Sequence, residues 1–240
     1  MTFIAIGGAE DKTRKAKILG AVLAEAKGKK SRVLVITGAT SYPEEAAKNY
    51  RRAFKNLGVS SCAIVHPETP AQADDPAFLQ QIEKADVIFF SGGDQSKLVA
   101  ALEGTQALSA IQEREKNGAV IAGTSAGAAA MSSCMITGGA PEDAEREDAI
   151  TSGKGFGFAA EIIFDTHFMN RGRLPRLFNL LGKNPEKTGI GLDEDTALIL
   201  RANGSMEVVG SGAVTVVRKN TASKTGFDVT QLKHGASHTM

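Results

Sequence analysis

Cysteine is scarce: of 240 residues only Cys62 and Cys134 carry a thiol. Two cysteines give no disulfide framework, and both lie among apolar or small residues, so they read as buried free thiols of a reducing compartment. No Cys/His spacing of a zinc site occurs, and neither a metal nor another cofactor is expected. Charge of one sign is lacking too. The 28 Lys and Arg against 27 Asp and Glu leave a net +1, so no global field points to nucleic acid or to an anionic membrane. No stretch reaches the roughly 18 consecutive apolar residues of a membrane span. The opening MTFIAIGGAED has neither the basic start nor the apolar segment of a secretory leader, which makes the cytoplasm the expected compartment. Histidine is rare as well, with only His66, His167, His234 and His238 to choose from as a general base.

What is present is ordinary for a soluble globular protein: 42% hydrophobic and 23% charged residues, with a length that suggests one large α/β domain over residues 1–240. Short apolar runs at Thr2–Ile6, Arg32–Ile36, Cys62–Val65, Asp86–Phe90 and Ala119–Ala122 predict five buried strands. Helical spacing predicts helices over Lys15–Ala26, Pro43–Leu57, Phe78–Lys84, Leu98–Leu102 and Leu108–Lys116 between them. Strand and helix in alternation specify a doubly wound, mostly parallel sheet covered on both faces. Pro67–Pro76 is expected as a loop. Thr137–Lys154, with Glu142, Asp143, Glu145, Glu147 and Asp148, is expected as a solvated flap over the site. Further on, Ala159–Phe164 and Gly189–Leu200 read as strands, the latter interrupted by Asp193-Glu194-Asp195, and Ser205–Val217 as a hairpin.

In doubly wound sheets, ligands bind beyond the carboxyl ends of the strands. The loops there are Gly7-Gly8-Ala9-Glu10, Thr37-Gly38-Ala39-Thr40, Ser91-Gly92-Gly93-Asp94-Gln95 and Gly123-Thr124-Ser125-Ala126-Gly127. Tight turns need glycine in any case, but that does not account for the polar Asp94 and Gln95 behind the double glycine. The last loop is the G-x-S-x-G pattern of a nucleophile elbow. It would hold Ser125 between a strand end and a helix N-terminus over Ala126–Met131, where the Ala126 N–H could meet a developing oxyanion.

A serine nucleophile needs a base in hydrogen-bond reach and a group to orient that base. His167 directly follows a strand and stands among Asp165, Arg171, Arg173 and Arg176, which favours it over the other three histidines. Glu194 and its neighbours interrupt an apolar segment, where a carboxylate needs a partner. A solvated turn explains the same residues equally well. The R-G-R-x-x-R spacing of Arg171, Arg173 and Arg176 suits fork-like binding of carboxylates. A solvated helix start is the plain alternative. Nucleic acid ranks lower without interleaved aromatic residues or a basic balance.

Five stretches in order, IGGAEDK (6–12), FSGGDQ (90–95), GTSAGAA (123–129), DTHFMNRGRLPRL (165–177) and GIGLDEDTAL (189–198), resemble the S51 serine peptidases, the family of the cyanophycinases and the α-aspartyl dipeptidases. The resemblance implies a class I glutamine amidotransferase-like, flavodoxin-like fold with a C-terminal β-hairpin and a Ser-His-Glu triad of Ser125, His167 and Glu194, with Asp143 as second choice for the acid. It implies an oxyanion hole from the amides of Gly93 or Gly92 and of Ala126. It places Gln95, Asp165, Thr166, Arg171, Arg173 and Arg176 on substrate-binding positions, with Thr166 where a cyanophycinase has glutamine. The implied substrate is cyanophycin, a polyaspartate with arginine on each β-carboxyl, or a related β-Asp-Arg peptide. Asp94, Asp165 or Glu10 would meet its guanidinium groups. The implied assembly is a homodimer, with a carboxyl end shorter than the family's. An α-aspartyl dipeptidase and a non-catalytic amidotransferase-like binding protein are the other readings. An amidotransferase would carry cysteine in place of Ser125.

Overall fold

The computed structural model describes residues 1–13, 15–146, 148–220, 222 and 226–239; Glu147 of the acidic run lies outside them. In chain order the first half contains β1 (Thr2–Ile6), α1 (Lys17–Ala24), β2 (Arg32–Ile36), α2 (Pro43–Asn56), β3 (Ser61–Val65), α3 (Pro70–Ala73), α4 (Pro76–Lys84), β4 (Val87–Phe90), α5 (Gln95–Leu102), α6 (Gln106–Lys116) and β5 (Val120–Thr124). Every strand expected here forms. Each is a run of four or five mostly apolar residues containing Val or Ile, too short for a helix. Thr105, Asp94 and Asp75 begin α6, α5 and α4 by accepting hydrogen bonds from the first free N–H groups.

The second half contains α7 (Ala126–Ala129), β6 (Cys134–Gly138), β7 (Thr151–Lys154), β8 (Ile162–Thr166), α8 (Leu174–Lys183), β9 (Thr188–Leu192), β10 (Thr196–Arg201), β11 (Ser205–Gly210), β12 (Ala213–Lys219), β13 (Phe227–Lys233) and β14 (Ser237–Thr239).

The main sheet has the order β14-β11-β10-β1-β5-β4-β2-β3. Its five strands from β1 to β3 are mutually parallel, and β10, β11 and β14 extend it antiparallel. The chain runs outward from β1 through β2 to the edge at β3, then returns through β4 to β5. A right-handed crossover places its helix on opposite faces for the two directions. Accordingly α1 and α2 bury Ile18, Leu19, Val22, Tyr50 and Phe54 on one face, while α4, α5 and α6 bury Phe78, Ile82, Leu98 and Ile111 on the other.

A second sheet, β13-β12-β9-β8, packs against that latter face through Ile162, Phe164, Ile190, Leu192, Val214 and Val216. Its outer side is covered by α8 through Leu177, Leu180 and Leu181. The C-terminal hairpin is formed by β12 and β13. Here the structure departs from the expected Ser205–Val217 pairing, because β11 joins the main sheet and β12 the second one. The same division explains Asp193-Glu194-Asp195: β9 and β10 belong to different sheets, and the three polar residues carry the chain across.

Two further expectations are corrected. Residues 137–154 are not a bare solvated flap but include the β6–β7 pair, anchored by buried Ile136, Ala144 and Ile150 against the α8 cluster. The Pro67–Pro76 loop contains the single turn α3, begun at Thr69. Cys62 and Cys134 are free but half-buried rather than buried. Burial pushes the Cys62 thiol up to about 11 against the smaller opposing pull of Arg51. Among the described residues no helix is long and apolar enough to cross a membrane.

Candidate active site

The turn out of β5 is sharp. Ser125 has φ 52° and ψ −113°, a conformation that a side-chain-bearing residue holds only when its surroundings impose it. They do so through glycine. A β-carbon on Gly123 would strike the carbonyl of Gly127, and one on Gly127 the carbonyl of Phe90. The helix that follows is shorter than expected, a single turn over Ala126–Ala129. As its first residue, Ala126 has no intrahelical partner for its N–H.

The end of β1 fixes the rest. Three successive carbonyls, of Ile6, Gly7 and Gly8, accept the N–H groups of Ser125 (2.9 Å), His167 (2.9 Å) and Asp195 (2.8 Å). Gly7 is pressed on the carbonyls of Leu192 and Asp193, and Gly8 (φ 97°) on the ring of His167. Of five non-glycine residues with positive φ among those described, Ala9, Ser125, His167 and Asp195 lie in these converging loops. Such concentrated backbone strain points to a site built for geometry.

Ser125 Oγ lies 3.0 Å from His167 Nε2, and His167 Nδ1 lies 2.7 Å from Glu194 Oε1. With Nδ1–H donating to the carboxylate, Nε2 is left to accept the serine proton. The three consecutive carboxylates divide their tasks. Asp193 accepts from the N–H groups of Met169 and Ala213, both at 3.0 Å. Asp195 accepts from Asp11 N–H at 3.2 Å and the Ser211 hydroxyl at 2.9 Å. Glu194 is left for the imidazole, its own N–H donating to Asn170 Oδ1 at 3.1 Å. Asp143 is exposed in a separate 3-10 turn, Pro141–Asp143. His66 pairs with Thr37, and His234 with Lys17.

A pocket of about 300 Å³ opens beside Ser125, and Gly93, Gln95, Ala126, Asp165, Thr166, His167, Arg171, Arg173 and Arg176 all contribute to its wall. The backbone of Gly92 packs directly on the serine; a β-carbon there would be 3.3 Å from Ser125 Cβ. Gly93 (φ 142°) is held against the Ala39 carbonyl with no room for a side chain. Gln95 donates to the Ile136 carbonyl at 2.7 Å, tying α5 to β6.

The arginines are not equivalent. Arg176 forks onto buried Asp165, with Nε to Oδ2 at 2.7 Å and Nη2 to Oδ1. Arg173 donates to the Thr166 carbonyl at 2.6 Å and lies 3.5 Å from Asp165, while its Nε is buried without a partner. Burial, and after it the neighbouring Arg176, push its guanidinium down to about 10 against the pull of Asp165. Arg171 is exposed and makes no ion pair among the described residues. Three cations around one internally bound carboxylate leave the pocket ready for an anionic group.

The carboxylates expected to meet guanidinium are engaged elsewhere. Asp165 is held by Arg176. Asp94 caps α5 through the N–H groups of Ser96 and Lys97. Glu10 is buried, accepting from Tyr50 (2.8 Å) and Thr124 (2.6 Å) and pairing with Lys12 at 2.8 Å. This tie between Glu10 and the elbow residue Thr124 was missed in the sequence. The run Gly-Gly-Ala-Glu was visible there, but not that its Gly7 and Gly8 carbonyls hold the backbone of His167 and Asp195 while its carboxylate holds Thr124 of the elbow.

The sequence model of peptidase family S51 matches residues 3–208. A cyanophycinase of Synechococcus elongatus is 35% identical over 225 residues, covering 93% of this chain and 70% of the relative. A cyanophycinase of Trichormus variabilis is 33% identical over 232 residues, covering 96% and 74%. Among solved structures, that of a peptidase from an acI-B1 Actinobacterium superposes with a TM-score of 0.81 at 23% identity, over all of this chain and 96% of the other.

Proposed function

The chain belongs to peptidase family S51, and from that premise we propose that it is a serine exopeptidase releasing β-Asp-Arg dipeptides from cyanophycin. The observation that carries this reading is the Ser125–His167–Glu194 hydrogen-bonded line beside a pocket walled by three arginines. Its relatives named cyanophycinase support the substrate. Each side chain of that polymer ends in an arginine with a free carboxylate, the group the arginine-lined pocket is equipped to receive.

His167 Nε2 takes the hydroxyl proton of Ser125 as Oγ attacks the backbone carbonyl of an aspartyl residue. The resulting oxyanion is held by the amides of Ala126 and of Gly93 or Gly92. His167 returns the proton to the departing amine, leaving an acyl ester on Ser125. Water, deprotonated by His167, then cleaves the ester and frees the dipeptide. Glu194 keeps the imidazole in the required tautomer and stabilises its charged form. Gln95, Asp165, Thr166, Arg171, Arg173 and Arg176 shape the pocket that seats the substrate. The reading includes a cytoplasmic homodimer.

The test is chromatography of the soluble products after incubation with insoluble cyanophycin. Release of β-Asp-Arg is the expected result. Hydrolysis of Asp-X dipeptides with the polymer left intact would assign the chain instead to α-aspartyl dipeptidase activity.

A further inference from the structure

On the other side of the Ser91-Gly92 turn lies a second pocket of about 290 Å³, walled by Lys12, Tyr42, Glu45, Tyr50 and Gly92 among others. Gly93 faces the arginine pocket and Gly92 this one, so the turn that approaches Ser125 divides two chambers. Their charges differ. In the second, the Lys12 ammonium is neutralised by Glu10 at 2.8 Å and lies 5.1 Å from the centre of the Tyr50 ring. Glu45 makes no ion pair among the described residues and is exposed. Tyr42 is 73% exposed, and its ring contacts no other aromatic ring among them. An exposed carboxylate and an open aromatic ring in the wall of one pocket are the pair of groups that attracts a planar cation.

We infer that this pocket is the subsite for a guanidinium group, with Glu45 as its ion-pair partner and Tyr42 as its platform. On the cyanophycin reading, a chain whose scissile carbonyl lies at Ser125 would run past the Gly92-Gly93 turn with one repeat toward each chamber. The arginine-walled chamber repels a guanidinium and accepts a carboxylate, while the chamber with Glu45 does the reverse. The subsite therefore selects the cationic end of the arginyl repeat across the scissile bond. The substrate side of this inference rests on the cyanophycin reading; the cation site does not.

Both tyrosines of the chain wall this pocket, and the chain has no tryptophan, so intrinsic fluorescence reports its occupancy. The experiment titrates the protein with butylguanidinium, with butylurea as the uncharged control. A saturable change with butylguanidinium alone is expected, weakened about fivefold in Glu45→Gln. With cyanophycin, the same variant should raise KM about as much and leave kcat unchanged. A flat titration, or an equal response from Glu45→Gln and wild type, would overturn the subsite. Guanidinium binding without cyanophycin hydrolysis would instead uphold the cation site and overturn the functional reading.

Discussion

The imidazole of His167 lies against Gly8, so closely that a β-carbon at Gly8 would be 2.5 Å from Nε2, the nitrogen facing Ser125. The second glycine beyond β1 thus sets how near the imidazole comes to the Ser125 hydroxyl. Gly8→Ala must push the ring away and must also hold alanine at φ 97°. A displacement of about 1 Å lowers a rate roughly 100-fold. That loss is expected in kcat, measured as dipeptide release, for the folded variant.

Glu194 and Asp143 are separable by paired substitution. Glu194→Gln removes the charged partner of Nδ1 and allows the wrong tautomer, with a fall in kcat of about 10²- to 10⁴-fold. Asp143→Asn alters an exposed turn and should leave kcat within about twofold, since surface changes of this kind stay within roughly 0.5 kcal/mol. Steady-state kinetics on both variants decide the assignment.

Asp165 and Arg176 form an ion pair whose side chains are 1% and 10% exposed. Asp165→Asn leaves the Arg176 charge buried without its counter-ion. It should destabilise the protein by about 3–5 kcal/mol, as breaking one half of a buried pair does. Urea unfolding at neutral pH reads this directly.

Asp86 ties the start of β2 to the end of α1's connection. Burial alone would raise its carboxyl, but hydrogen bonds from Arg32 and Lys27 outweigh that and hold it at about 2, below its ordinary 3.8. The folded value is depressed, so the stabilisation is complete above 3.8 and is lost as pH falls through about 2. Asp86→Asn should be less stable than wild type by roughly 1–2 kcal/mol at pH 7. The gap should close between about pH 4 and pH 2, in unfolding curves taken at stepwise pH.

The parallel half of the fold was legible because its strands are short apolar runs such as VLVI (33–36) and VIFF (87–90), each of these two followed within two residues by glycine and then by a helical period. The elbow was legible for a local reason: its glycines and serine are contiguous. The second sheet was harder to read. β9 is TGIGL, in which Gly189 makes room for Leu177 and Leu181 and Gly191 for the Phe168 ring. Glycines placed for close packing by distant residues weaken the strand pattern. The break at Asp193–Asp195 was visible as an interruption of the strand, but nothing local showed that β9 and β10 on either side of it join different sheets. Ion pairing between Asp165 and Arg176 was equally hidden, because it joins the end of a strand to a helix eleven positions on. Both side chains therefore read as free to meet substrate.

The central claim is that Ser125 is the nucleophile. Its most direct test is the rate of β-Asp-Arg release from cyanophycin by Ser125→Ala against wild type, together with the affinity of the variant for the polymer. A fall of about 10⁴-fold or more with affinity retained is the predicted result. Release by Ser125→Ala at a rate near that of wild type would contradict it, and the elbow would then be a turn of the fold and nothing more.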